Sequence, residues 1–144
     1  MKKVLVLFLL SFSIFGFAQK VKLKDNKILI DKVEVYKYSE EGFMTTMSTL
    51  SDVEFISIVS ATYQERNQLH DPRYTTSSPY ITRYVYTVKF LKSGKELTTN
   101  LYLKDLALAV YKSNMVDENG NIDDEKLDIF ITKYNNENLK LKIN

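Results

Sequence analysis

The chain of 144 residues is 44% hydrophobic and 26% charged, with no Cys, no Trp and a single His. That length accommodates one domain. The missing cysteines exclude a thiol nucleophile, a Cys-based metal site and a disulfide framework.

Lys2 and Lys3 precede residues 4–17, a run without a charged side chain, and Gly16 and Ala18 set small residues at the −3 and −1 positions of a cleavage site. This is the pattern of a secretory signal peptide. The run falls short of the roughly 20 residues needed to span a bilayer as a helix, so a cleaved leader is expected rather than a stable membrane anchor. No Cys follows it to carry a lipid. Cleavage after Ala18 removes Lys2 and Lys3 and no acid, leaving eighteen cations and eighteen anions in a single domain over residues 19–144. Nucleic-acid binding relies on clustered positive charge, so this even balance argues against it. About 126 residues bury enough surface to fold without disulfides.

Along the expected domain, Val21 and Leu23 alternate with lysines, Asp25-Asn26 offers a tight turn, and Ile28 and Ile30 alternate next. Asp31-Lys32 offers a second turn before Val33, Val35 and Tyr38. Period two with short polar breaks marks an antiparallel meander. After Gly42, the segment with Phe43, Met44 and Met47 reads equally as a short strand or a helical turn. Residues 53–63 favour a strand by composition. Strict alternation puts Val53, Phe55, Ser57, Val59 and Ala61 on one face and Ile56 and Ile58 on the other, which predicts an interior strand.

Residues 64–79 break the pattern with Pro72, Pro79 and His70. Tyr84, Tyr86, Val88 and Phe90 then share one face of a strand, Ser93-Gly94 turns, and residues 96–99 return, which makes a hairpin. The period next changes to three-to-four, with Leu103, Leu106, Ala107, Val110 and Tyr111 predicting a helix to about Asn114. Asp123 is the expected N-cap of a second helix, with Ile122 and Leu127 as its hydrophobic staple and Leu127, Phe130, Ile131 and Tyr134 as its apolar stripe. Leu139, Leu141 and Ile143 alternate with lysines, which predicts a short final strand. The expected fold is α+β: a mostly antiparallel sheet with a C-terminal helical hairpin packed on it.

Chemistry is harder to place. Residues 117–123 share Asp117, Asn119, Gly120 and Asp123 with part of an EF-hand loop. Position one becomes Met115 and position twelve Lys126, so a calcium ion would lose two required ligands. The same residues account for a turn followed by a capped helix. No metal and no cofactor is expected, since one His and no Cys leave only carboxylates. His70-Asp71 invites a hydrolase reading, yet triads assemble in space and no G-x-S-x-G elbow is present. Arg73, Tyr74 and Tyr80, in or beside the same polar loop, are residue types enriched at binding hot spots. With His70 they form the expected binding surface.

The Phe17-Ala18-Gln19 end of the leader, the opening run at residues 24–31, the 106–111 helix, Gly120, and residues 124–126 leading into 130–134 together resemble small exported proteins of Gram-negative bacteria with no assigned activity. The resemblance implies a cell-envelope location and supplies no catalytic residue. The expected function is that of a non-enzymatic envelope module that binds a protein or ligand through the 64–79 loop. The alternatives are a small hydrolase using His70 and a structural component that pairs through a sheet edge.

Overall fold

A computed structural model describes residues 19–74 and 76–143; the expected leader lies outside them. Seven strands run β1 (Val21–Lys24), β2 (Lys27–Ile30), β3 (Val33–Glu41), β4 (Met44–Ser48), β5 (Glu54–Arg66), β6 (Tyr80–Phe90) and β7 (Glu96–Thr99). They form one antiparallel sheet whose spatial order is the chain order. Helices α1 (Leu103–Ser113), α2 (Asp124–Tyr134) and α3 (Glu137–Lys140) follow. The fold is thus α+β, with the meander and the helical hairpin where the hydrophobic periods place them.

The first two turns carry positive φ at both central residues, Asp25 (51°) and Asn26 (60°), then Asp31 (52°) and Lys32 (73°). Two left-handed residues in a two-residue loop match the twist of the flanking strands. In β5 the alternation fails for a physical reason. Met47 pairs with Ile56 but Ser48 pairs with Glu54, so Phe55 is an extra residue on β5. Such a bulge lets two successive side chains turn to one side, and Phe55, Ile56 and Ile58 are all buried in the core. Val59, expected on the Phe55 face, lies half-exposed on the far side of the sheet instead. Phe55 packs against Tyr36 with ring centroids 5.2 Å apart.

Helix α1 buries Leu103, Leu106, Ala107, Ala109 and Val110. In α2 the Asp123 carboxylate accepts from the Lys126 amide at 3.1 Å, which satisfies one of the free donors at the helix start. The α2 ring of Phe130 meets Phe90 of β6 edge-on, 6.1 Å apart at 85°. This contact joins the helical layer to the sheet.

The expected final strand is not formed. Residues 137–140 are helix and residues 141–143 a turn. The Asn136 side chain accepts from the amides of Asn138 (3.1 Å) and Leu139 (3.3 Å), a cap that overrides the alternation of Leu139, Leu141 and Ile143. The same segment closes a sheet edge. The Thr98 amide donates to Asn135 Oδ1 and the Asn136 amide donates to the Thr98 carbonyl, each at 2.8 Å. Covered in this way, β7 is no template for another strand. The opposite edge, β1, carries Lys22 and Lys24 on its solvent side. Among the described residues no helix is long and apolar enough to cross a membrane.

Gly120 sits in the α1–α2 connection at φ +72°, and a Cβ there would lie 2.8 Å from Val53 Cγ1. Gly42 has a similar φ of +60° but faces open space. Gly120→Ala is therefore expected to cost about 2 kcal/mol, combining left-handed strain with overpacking. Gly42→Ala incurs only the strain. Urea denaturation of the two variants checks the difference.

Candidate functional site

Strands β5 and β6 are much longer than their neighbours. β4 pairs with β5 only as far as Val59, and β7 pairs with β6 only from Tyr86. Six further β5–β6 pairs, from Ala61↔Val85 to Arg66↔Tyr80, continue past both neighbouring strands, the first with Val85 still fully buried and the rest as a two-stranded arm. The core-side face of the sheet runs out along this arm through Thr62, Gln64, Arg66, Tyr80, Thr82 and Tyr84, all exposed. Tyr86 and Tyr84 show the transition. They share a face, yet Tyr86 is 9% exposed and Tyr84 is 60% exposed.

A lone two-stranded ribbon is marginal in water, so the arm needs supports, and it has three. On its other face Arg83 Nε donates to Glu65 Oε2 at 3.1 Å. At its root Lys142 Nζ lies 4.6 Å from the centre of the Tyr63 ring, which ties the chain's end to the arm. At its tip the Asn67 amide donates to the Pro79 carbonyl (2.8 Å) and Asn67 Nδ2 to the Ser78 carbonyl (2.9 Å). The sequence boundaries shift accordingly. Residues 64–66 are strand, and the tip loop is residues 67–79.

The four residues singled out from sequence divide between tip and arm. His70 is half-buried, with Nδ1 3.0 Å from Ser77 Oγ across the loop. Asp71 is turned to Arg73, not to His70. Arg73 donates through Nε and Nη2 to the two carboxylate oxygens, the shortest contact being 2.7 Å. This pairing holds the Asp71 carboxyl below the usual carboxylate range. The Tyr74 amide donates to the Asp71 carbonyl, and the Tyr74 side chain is exposed. Tyr80 opens β6 and projects from the arm. Leu69, at 92% exposed, adds an apolar point to the tip.

A second feature lies at the other end of the sheet. A cleft of about 670 Å³ opens between β3, the β4–β5 turn and the segment leaving α1. Tyr36, Tyr111, Val35, Leu50 and Val116 supply its rings and apolar surface. Gln19, Ser51 and Asn114 supply neutral polar groups, and Lys112, Asp117 and Glu118 the charges. Burial, and secondarily Tyr111, pushes the Tyr36 hydroxyl up to about 12, so it stays protonated as a donor. Asp117 accepts from the amides of Asn119 (2.9 Å) and Asn121 (2.8 Å) and from Asn121 Nδ2 (2.9 Å). The Asn121 side chain and amide, followed by the Asn119 amide, hold its carboxyl below the usual range. The partial EF-hand resemblance thus corresponds to a turn whose carboxylate bonds its own loop.

Comparison with protein-family models, with curated proteins and with solved structures gives no match. The arm's tip was legible in the sequence as a polar interruption between strands. The cleft was not, because four segments far apart in sequence build it.

Proposed function

We propose that this protein is an exported, non-enzymatic binding module of the cell envelope that holds a protein partner on the β5–β6 arm. The observation that carries the reading is the six-pair extension of β5 and β6 past their neighbours. It places Tyr74, Tyr80 and Tyr84 outside the core, where their burial adds nothing to folding. Tyrosine gives stiff, amphipathic contact area at low entropic cost, and such residues dominate interface energetics. Asp71–Arg73 and Glu65–Arg83 are neutralised as pairs. The partner surface suited to this arm is therefore an apolar shelf with a carboxylate opposite Arg66. Export rests on the charged start, the uncharged run at residues 4–17 and the small residues before Gln19.

The experiment is affinity capture from the producer's envelope extract. It compares the tagged chain from Gln19 onward, which contains every strand and helix described above, with the same chain lacking residues 71–78. The arm's strands and the Asn67–Pro79 tie lie outside the deletion, and only the exposed Asn67–Ser78 bond goes with it, so the thermal transition is expected to move by no more than about 2 °C. Loss of one retained protein from the shortened chain is the expected result. Equal retention by both chains overturns the tip loop as part of the docking surface.

A further inference from the structure

We propose that the cleft between β3, the β4–β5 turn and the end of α1 binds a neutral sugar, a mono- or disaccharide, independently of the arm. Its volume, about 670 Å³, falls among small-molecule sites, which commonly run from roughly 300 to 1,000 Å³. The chemistry of the walls selects the class of ligand. A sugar ring presents C–H faces bordered by hydroxyls that both donate and accept hydrogen bonds.

The C–H faces call for aromatic and aliphatic surface, which Tyr111, Tyr36, Leu50 and Val116 provide. Tyr36 is fixed by its packing on Phe55, whereas Tyr111 is 42% exposed and free to lie along a ligand. The hydroxyls call for groups of dual character. Gln19 and Asn114 each carry an amide with donor and acceptor ends, and Ser51 a hydroxyl with both.

Charge disfavours the competing classes. The Asp117 carboxylate is already engaged by three donors of its own loop, so it is a poor counter-ion for a cationic ligand. Lys112 and Glu118, of opposite sign, both line the cleft. An anion would face two carboxylates against one lysine, and a cation would find Glu118 as its only carboxylate not bonded by its own loop, with Lys112 opposing it. A neutral polyhydroxyl ligand meets neither penalty.

The test is saturation-transfer NMR on the chain from Gln19 onward, with maltose, cellobiose and N,N′-diacetylchitobiose each at about 10 mM, ten times a millimolar dissociation constant. Choline and glucuronate serve as the cationic and anionic comparisons. At least one neutral disaccharide is expected to bind, and more tightly than either charged probe. Tyr111→Ala is expected to weaken it at least tenfold with the thermal transition retained. Tyr36→Phe, which removes one hydroxyl without emptying the core, is expected to weaken it several-fold. The chain lacking residues 71–78 is expected to bind the same sugar unchanged, so failure of the arm reading leaves this result standing. Absence of transfer to all three sugars, tighter binding of choline or glucuronate, or unaltered binding by Tyr111→Ala overturns the proposal.

Discussion

Phe90→Ala is expected to destabilise the fold by about 4 kcal/mol, while Tyr84→Ala, on the same strand and the same face, changes it by less than about 0.5 kcal/mol. Phe90 has no exposed surface and meets Phe130 edge-on across the sheet–helix boundary. Truncation there opens a cavity between two layers and removes an aromatic pair that contributes beyond its buried area. A loss of that size is a large part of the total stability of a domain, commonly 5–15 kcal/mol. Tyr84 lies past the last β7 pairing and most of its side chain is exposed. Urea melts of the two variants locate where core ends and arm begins. Comparable losses would place Tyr84 inside the core and remove the structural basis of the arm.

Above pH 10 the protein is expected to lose stability on the order of 3 kcal/mol through Tyr36 alone. Burial, with a further contribution from Tyr111, raises its folded-state value from 10.0 to about 12. A group whose folded value is raised contributes fully below its unfolded value, so nothing is lost below about pH 10. Between pH 10 and 12 the unfolded chain releases the proton while the folded chain keeps it, and the folded state loses ground. Tyr86 and Tyr102 are also raised, both chiefly by burial, and add in the same direction. The comparison of wild type with Tyr36→Phe isolates the one group. The variant is expected to show a shallower fall in unfolding free energy over that interval. Parallel curves would mean that the Tyr36 hydroxyl is as solvated as in the unfolded chain.

The parts of the fold that follow from local chemistry were legible in the sequence. Asp25-Asn26 and Asp31-Lys32 are turn pairs that accept positive φ, and Asp123 is a side chain suited to cap a helix. What escaped involves partners distant along the chain. Alternation assigned Phe55 to the Val59 face because a bulge leaves no local mark; the extra residue is apparent only against the register of β4. Leu139, Leu141 and Ile143 alternate as a strand does, yet Asn136 caps a helical turn while its amide bonds Thr98 of β7. The polar interruption around His70, Arg73 and Tyr74 was visible. That residues 62–66 and 80–84 run on past the neighbouring strands depends on where β4 and β7 stop, which no pattern within β5 or β6 encodes. The cleft assembles Gln19, Val35, Leu50, Tyr111 and Val116 from segments far apart in sequence, so no local pattern brings them together.

The most direct measurement places a photo-crosslinking residue in the producing cells' own protein, in place of Tyr74 and, separately, of Val33. Both positions are exposed, but Val33 begins β3 at the end of the sheet away from the arm. Illumination is expected to join one discrete envelope protein to position 74 and not to position 33. Adducts at position 33 alone, or none at position 74 with the protein present in the envelope, would contradict the arm as the surface on which this protein acts.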